Sequence, residues 1–478
     1  MCGIVGILKF DPREIVSAQC LRRMRDILHH RGPDDGGLMI VGRAGLGHRR
    51  LSIIDRAGGH QPMATPEHTA MISYNGEIYN FKELRAELRL LGFNFRTESD
   101  TEVILYAYEA FGEECVQRLR GMFAFAIWDQ RRGKMFLARD RLGIKPLYYA
   151  ATSDELLFAS EIKSILAAGS VRPIFNKAIL PEFMATRFSA GTETFFEGIY
   201  KLLPGHVIVW SSTTGLQQRR YWQPPVAPQN SGETLAQIAQ QVRSRLEEAV
   251  SSHLVSDVPV GLFLSGGIDS SGLAALMATK MKEPIRSFSV GFNDQRFSEL
   301  NYARLAAGAV KAEHREVTVT PSEFFEKLPS LIWHEDEPIA FPSSVSLYFV
   351  SDLARRNGIK VVLSGEGADE LFLGYNRYRV TAWNERLGRV YRAALPNSVC
   401  TGVRRCMGLL PDRLRRYSAR TFLELAPGPR ELFYENFAVF PQGLRQSLFR
   451  DQELLHARDP YAVELRCYEE NSGGTLER

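Results

Sequence analysis

Short apolar runs separated by turn residues dominate the first 200 positions of this chain. Cys2 to Leu8, Leu38 to Val41, Met71 to Tyr74, Phe123 to Trp128, Met135 to Ala138 and Leu156 to Ala159 have the length and boundaries of strands. Asp129-Gln130-Arg131-Arg132-Gly133, lying between two of them, predicts a hairpin loop. Phe81 to Leu91 and Thr101 to Phe111 carry apolar residues at helical spacing, with acidic residues near their starts. The texture changes after Tyr221. Pro224, Pro225 and Pro228 followed by Asn230-Ser231-Gly232 predict a linker over 223–232, between domains spanning 1–222 and 233–478. Beyond it Leu235, Ile238, Val242, Leu246 and Val250 step by three and four as an amphipathic helix. Strand and helix patterns then alternate: Val258 to Leu264, Gly272 to Lys280, Ser287 to Val290, Leu300 to Val310, Val317 to Val319, Ser346 to Arg355 and Lys360 to Leu363. That alternation predicts a parallel α/β sheet.

At 478 residues the chain exceeds what one core usually serves, consistent with two domains or three. With 45% hydrophobic and 24% charged residues it reads as globular, and a net charge of +4 does not by itself indicate a polyanionic partner. Cys2, Cys20, Cys115, Cys400, Cys406 and Cys467 are too scattered for a disulfide framework, and no Cys-x-x-Cys pair suggests zinc. A reducing compartment fits best. The charges at Lys9, Asp11, Arg13 and Glu14 leave no signal-peptide apolar region. No later stretch offers about 18 uninterrupted apolar residues, so the expectation is a soluble, cytoplasmic protein without a membrane partner.

Candidate chemistry begins at Cys2. Removal of Met1 would make it the N-terminal residue, placing a thiol of pKa ~8.5 beside an α-amine of pKa ~7.7–8.0 that can take its proton. A small residue at position 2 also simply promotes Met removal. Further on, the apolar run to Leu264 delivers Ser265-Gly266-Gly267-Ile268-Asp269-Ser270-Ser271 to a helix start, a turn whose backbone N–H groups and hydroxyls suit a pyrophosphate. It lacks the Walker A pattern, and Asp269 beside phosphate makes sense with Mg²⁺ between them. The plain alternative is a helix capped by Ser or Asp. A second loop, Leu363-Ser364-Gly365-Glu366-Gly367-Ala368-Asp369-Glu370, also follows an apolar strand. It reads either as part of a Mg-nucleotide site at the carboxyl edge of the sheet or as a capped helix start. His48, His60 and His334 have no metal-ligand spacing and read as hydrogen-bonding or structural residues.

Taken together, Met1 to Gly6, His30 to Asp35, Gly47 to Asp55, Gly59 to Met63, Tyr74 to Asn80, Ser99 to Glu102 and Arg139 to Tyr149 resemble a class II glutamine amidotransferase domain. With Ser265 to Ser271 and Ser364 to Glu370 behind them in order, the whole chain resembles the glutamine-hydrolysing asparagine synthetases. The resemblance implies an N-terminal-nucleophile four-layer αββα sandwich followed by an ATP-pyrophosphatase-type α/β domain. It assigns nucleophilic attack on the glutamine amide to Cys2, and the oxyanion to the Asn75 side chain with the Gly76 N–H. Arg50 would fork onto the substrate carboxylate, Asp100 and Glu77 would take the α-ammonium, and Leu51 and Ile54 would complete the glutamine site.

In the second half the resemblance implies ATP activating a carboxylate, by default aspartate, as its adenylate. Ammonia would then displace AMP to give the amide. Ser265, Gly266, Gly267, Asp269 and Ser270 match the pyrophosphate side, and Phe263, Val290, Ser364 and Gly365 match the nucleoside surroundings. Glu366 matches the glutamate of the acyl-adenylate step, and Asp269 and Asp369 are candidates for Mg²⁺. Trp333 to Pro338 and Phe341 to Ser344 are expected to shape the acceptor pocket. A homodimer is compatible with the resemblance.

The match has departures. The family pattern continues past the position of Arg478 with an Arg-Val-Pro-Phe-Leu-Asp-like segment and a lysine that neutralises pyrophosphate; neither occurs here, so the second domain is expected to be incomplete relative to the family. Leu373 stands where many relatives have glycine. Other readings are an amidotransferase acting on another carboxylate, or a glutaminase with an inactive second half. From Arg377 to Arg420 there are eleven arginines and no lysine, which raises a nucleic-acid surface; a solvated face or partner interface is the expectation instead, with no nucleic acid bound.

Overall fold

Alternation in the first strand sets the layering of the N-terminal half. In the computed structural model, which describes residues 1–225, 232–294, 296–411, 414, 417–456 and 458–472, β1 (Gly3–Lys9) is buried along nearly its whole length. Ile4 and Leu8 point into one apolar cluster, whereas Val5 and Ile7 point into another. A strand buried on both faces belongs in the middle of stacked layers. It pairs antiparallel with β3 (Ala44–Arg50) and β9 (Glu155–Ala159).

With β2 (Asp35–Val41), β8 (Tyr148–Ala151) and β10 (Tyr200–Lys201) these strands form a sheet of order β10-β8-β9-β1-β3-β2. The second sheet, β12-β11-β7-β6-β5-β4, contains β4 (Met63–Ala64), β5 (Ala70–Ile78), β6 (Gly121–Asp129), β7 (Lys134–Arg139), β11 (His206–Ser211) and β12 (Gly215–Arg220). Residues from both sheets share one core, including Ile4, Leu46, Ala126, Leu137 and Ile208. The outer face of the first sheet is covered by α1 (Ala18–Asp26) through Leu21 and Met24, and by α5 (Ile162–Leu166) through Ile162 and Ile165. The outer face of the second is covered by α2 (Phe81–Leu90) and α3 (Asp100–Phe111). The result is a four-layer αββα sandwich.

The sequence pattern does not reveal β3, whose Ala-Gly-Leu-Gly-His-Arg-Arg holds one large apolar residue. Its glycines explain why it is nonetheless buried. A Cβ on Gly45 would lie 2.8 Å from Val16 Cγ1, and one on Gly47 2.6 Å from Val5 Cγ2, so close packing supplies the burial. At the other sheet's edge, β12 (Gly-Leu-Gln-Gln-Arg-Arg) presents polar side chains, which leave no apolar signal and protect an open edge.

His48 of β3 is completely buried beside the glutamine-motif residues. Its Nδ1 lies 3.2 Å from Ser73 Oγ, and its Nε2 has no partner among the described residues. Burial, reinforced by the nearby Arg50, pulls its pKa down to about 3. The unfolded chain, with an ordinary histidine near 6.5, therefore binds the extra proton between about pH 6.5 and 3. Stability falls as pH falls through that window, by up to about 1.4 kcal/mol per unit. Urea unfolding of wild type and His48→Gln from pH 7 to 4 is expected to show a shallower loss in the variant; parallel losses would exclude His48 as the acid-sensitive group.

The same compact unit, residues 1–174, 192–224 and 232–365, also holds the parallel sheet. After α7 (Leu235–His253), β13 (Val260–Phe263), β14 (Arg286–Phe292), β15 (Glu313–Val319) and β16 (Val361–Leu363) pair in the order β15-β14-β13-β16. All pairings are parallel. With α4 (Cys115–Arg118) and α6 (Leu180–Thr186) earlier in the chain, the helices continue as α8 (Ile268–Lys280), α9 (Leu300–Ala309), α10 (Pro321–Glu335) and α11 (Ser343–Arg356). One face of the sheet packs Leu262 and Leu264 on Ala274, Met277 and Ala303; the other packs Phe288 on Val350 and Ala354. Strand order reverses at β13, because β14 lies on one side and β16 on the other. Ligands of such sheets bind at the carboxyl ends flanking that reversal.

The second unit comprises residues 175–191, 225–231 and 366–478, and among the described residues it is largely helical. It includes α12 (Ala368–Phe372), α13 (Asn376–Ala394) and α14 (Asn397–Met407). Buried Arg445 organises part of it, donating to Glu435 Oε2 at 3.0 Å and to the Phe440 carbonyl at 2.6 Å, while Tyr461 Oη donates to Glu435 Oε2 at 2.7 Å. Of the expected linker, residues 226–231, including Pro228, Asn230 and Ser231, lie outside the described residues, as do 412, 413, 415 and 416 of the arginine-rich segment. Among the described residues no helix is long and apolar enough to cross a membrane.

Candidate active site

Cys2 immediately precedes the central strand β1. Its Sγ accepts from the Leu51 N–H at 3.4 Å and faces the Leu51 carbonyl at 3.7 Å. Burial raises the thiol pKa, opposed by the adjacent chain-terminal amine and the Leu51 N–H. A buried thiol of this kind needs a base at hand before it can attack. The terminal amine belongs here to Met1, and burial lowers its pKa to about 5. Loss of Met1 would place the free amine on Cys2 itself, where a neutral amine can accept the thiol proton.

Asn75 and Gly76 lie on β5, held against Ala124 and Phe123 of β6. Asn75 is 1% exposed, yet its Nδ2 has no partner among the described residues. A buried unpaired donor costs about 1–3 kcal/mol; a ligand oxygen would recover that cost. Gly76 is required by close approach, since a Cβ there would lie 2.2 Å from the Met122 carbonyl oxygen.

Arg50, at the end of β3, is wrapped by residues 51–59: its Nη2 donates to the carbonyls of Ile54 at 3.0 Å and Asp55 at 2.7 Å, and its Nη1 to that of Arg56 at 3.1 Å. Loop carbonyls thus take both Nη2 hydrogens and one Nη1 hydrogen in this structure. The loop is also tied to the parallel-sheet half, because Asp257 accepts from the Asp55 N–H at 2.8 Å and donates its own N–H to the Ile53 carbonyl at 3.2 Å.

Asp100, at the start of α3, accepts from Tyr74 Oη at 2.8 Å and the Ile78 N–H at 3.1 Å. Burial raises its pKa against those hydrogen bonds, and burial together with Asp100 raises that of Glu77 well above the carboxylate range. Two carboxyl groups that disfavour each other's ionisation would both be relieved by an α-ammonium between them.

These side chains share one cavity of about 340 Å³, lined by Cys2, Arg50, Leu51, Ile54, Asn75, Gly76, Glu77 and Asp100. Every residue assigned to glutamine by resemblance thus meets in one place. The lining continues through Lys145 to His253, Ser256 and Val361, Val362 and Leu363 of β16. Lys145 carried no assigned role from the sequence. It is nearly buried, and its pKa is lowered by burial, with Glu77 pulling it back. Asp140 positions it by accepting from the N–H groups of Leu142, Ile144 and Lys145. The signal in the sequence was a single charge inside the apolar stretch Leu142-Gly143-Ile144-Lys145-Pro146-Leu147.

The second candidate site lies at the strand-order reversal. Gly266 has φ +84°, and a Cβ there would lie 2.3 Å from the Tyr302 carbonyl carbon, so the loop needs glycine on both counts. Gly267 is the N-cap of α8 and no side chain caps the helix, which sets aside the Ser or Asp cap as the reason for this sequence. Instead Ser265 Oγ accepts from the Gly267 N–H at 3.2 Å and lies 3.0 Å from Ser270 Oγ. The loop after β16 runs alongside, where a Cβ on Gly365 would lie 3.0 Å from Asp269 Cβ and 3.2 Å from the Ser270 nitrogen. Ser364, Gly365, Ser265, Gly266, Gly267, Asp269 and Ser270 are therefore neighbours at one sheet edge, whereas Phe263 and Val290 pack partly buried on the Phe288 core.

Glu366 and Asp369 open the second unit. The N-cap of helix α12 is Gly367, φ +89°, also without a side-chain cap bond, and its C-cap is Leu373 with φ +57°. Left-handed backbone favours glycine, so the residue that departs from the expected glycine sits where its Cβ is least welcome. Among the described residues no three His, Cys, Asp or Glu side chains converge as a metal site. Exposed Asp269 suits a Mg²⁺ that also binds a ligand's phosphates, since that ion commonly needs only one or two protein carboxylates.

A four-layer αββα sandwich with a cysteine immediately before its first strand, beside a buried amide donor and paired carboxyls, has the architecture of the N-terminal-nucleophile amidotransferase class. The glutamine amidotransferase domain model matches residues 1–222, and the asparagine synthase model matches residues 241–460. The chain is 36% identical to asparagine synthetase [glutamine-hydrolyzing] 1 of Bacillus subtilis, over 94% of this chain and 70% of that protein. It is 37% identical to asparagine synthetase [glutamine-hydrolyzing] 3 of the same organism, over 78% of this chain and 63% of that one. Amidase chyE of Penicillium rubens is 34% identical over 80% of this chain and 61% of its own length. The chain belongs to the glutamine-hydrolysing asparagine synthetase family, whose members are glutamine-dependent carbon–nitrogen ligases.

Proposed function

We propose that this protein hydrolyses glutamine at Cys2 and uses the ammonia to amidate an ATP-activated carboxylate, with aspartate the default acceptor and asparagine, AMP and pyrophosphate the products. The observation that carries the reading is the single cavity whose wall passes from Cys2 through Lys145 to β16 of the parallel sheet. In the mature chain the Cys2 amine takes the thiol proton, the thiolate attacks the glutamine amide carbon, and the Asn75 amide with the Gly76 N–H holds the oxyanion. The C–N bond breaks, ammonia carries off the proton, and water later hydrolyses the thioester to glutamate. Arg50, Asp100 and Glu77 select a free amino acid by its two charged groups.

At the other end, the loop 265–270 receives the pyrophosphate side of ATP, with Asp269 and Asp369 as candidates for Mg²⁺, which would neutralise phosphate charge. Glu366 serves the acyl-adenylate step. Six cysteines that form no disulfide among the described residues fit a reducing cytoplasm. Leu373 in left-handed backbone, and a relative named an amidase, support a second reading in which the acceptor is another carboxylate. Mass spectrometry of the protein with glutamine, ATP-Mg²⁺ and aspartate is expected to show Met1 loss, glutamate, and asparagine with stoichiometric AMP. Glutamate without asparagine would overturn this reading in favour of another acceptor or of a glutaminase with an inactive second half.

A further inference from the structure

Away from the cavity wall, a second set of charges joins the nucleophile to the parallel-sheet half. Arg31 Nε donates to the Cys2 carbonyl at 2.9 Å, and Arg31 Nη1 donates to Glu161 Oε1 at 2.9 Å. His30 Nε2 meets that same oxygen at 2.9 Å, while the other Glu161 oxygen accepts from Lys163 Nζ. Lys163 then crosses to the end of α10. Its Nζ lies 3.1 Å from Asp336 Oδ1 and donates to the His334 carbonyl at 3.3 Å, and its backbone N–H donates to Asp336 Oδ2 at 3.0 Å. The ammonium also lies 4.6 Å over the Trp333 ring.

Glu161 and Lys163 are only 6% and 7% exposed, so these are not solvated surface pairs. Burial would raise the Glu161 pKa, but His30, Arg31 and Lys163 outweigh it and hold the carboxyl at about 2. A buried ammonium between two carboxylates is strongly position-dependent, since removing one partner leaves an uncompensated charge. Asp336 itself holds φ +60°, a left-handed conformation uncommon outside glycine, and both its carboxylate oxygens are engaged by Lys163. The outer core of the first sheet does not need this cluster, since α5 fills it with Ile162 and Ile165.

We propose that Lys163 is a positioning residue that couples the state of Cys2 to the C-terminal turn of α10 and the segment Trp333 to Pro338. A change at the Cys2 carbonyl on acylation moves Arg31, thence Glu161 and Lys163, and so Asp336. The coupling is reciprocal: a ligand that shifts the α10 turn alters the nucleophile's setting. Its chemical consequence rests on the two-site reading proposed above, but the structural link does not.

The test compares wild type, Lys163→Met and Lys163→Arg. In the Met variant, amide formed per glutamate released is expected to fall roughly 5- to 10-fold, at the low end of usual coupling, while glutamate release without ATP and amide formation from ammonia persist. Lys163→Arg is expected to restore most of the ratio. Independently of ATP and acceptor, alkylation of Cys2 by a glutamine-like diazoketone is expected to change amide hydrogen exchange over residues 321–342 in wild type and Lys163→Arg, and not in Lys163→Met. An undiminished product ratio in the Met variant, or unaltered exchange in wild type, overturns the proposal. Absence of ammonia-dependent amide formation in wild type tells against the two-site reading instead, and the exchange result then decides the role of Lys163. If the Met variant does not fold, exchange in wild type and Lys163→Arg still decides it.

Discussion

Replacing Cys2 by alanine is expected to remove glutamine-dependent activity by roughly 10⁴-fold or more, the scale on which loss of a covalent nucleophile is felt. No other thiol is placed to substitute for it. Among the residues lining the cavity, Cys2 is the one cysteine, and Cys115 is buried in the α2/α3 core with its pKa raised by desolvation. The substitution leaves the parallel sheet untouched. Amide formation from ammonium with ATP-Mg²⁺ and the acceptor is therefore expected to continue at near wild-type rate. Assaying both nitrogen sources on the same preparation separates the two halves, and retained glutaminase activity would sink the assignment of Cys2.

The second large effect concerns Asn75. Loss of one oxyanion donor costs about 10²–10³-fold in kcat, and Asn75→Ala is expected to fall in that range with a smaller change in KM. Because the Nδ2 donor is buried and has no partner among the described residues, its removal also relieves a desolvation cost. Thermal stability should therefore be unchanged or slightly raised, by up to about 1 kcal/mol. Measuring kcat and melting temperature together is decisive: a fall in both would mean that Asn75 serves the fold of β5 rather than the reaction. The two variants also differ in mechanism, since Cys2→Ala abolishes the thioester while Asn75→Ala slows its formation.

The family was readable from the sequence because its motifs are contiguous. Met1 to Gly6, Tyr74 to Asn80 and Ser265 to Ser271 each place chemistry within a few residues of one another. The four-layer arrangement followed from the same resemblance, and the alternating strands could be found individually. Two features were less visible locally. β3 conceals its burial because glycines let neighbours pack close without contributing apolar side chains. Lys145 stood inside a recognised motif, yet its place in the cavity wall depends on how Asp140 folds the preceding loop.

By itself the sequence determined the strands and helices whose apolar pattern is local, such as β1, β6 and α3, and where the glycine-rich turn meets a helix. Each of these depends on side-chain alternation or backbone freedom within one short window. Only the tertiary structure decided that β16 completes the wall of the Cys2 cavity, that loop carbonyls surround Arg50, and that Lys163 reaches Asp336. Those relations join residues far apart in the chain. They arise from sheet order and close packing, through contacts that no local periodicity encodes.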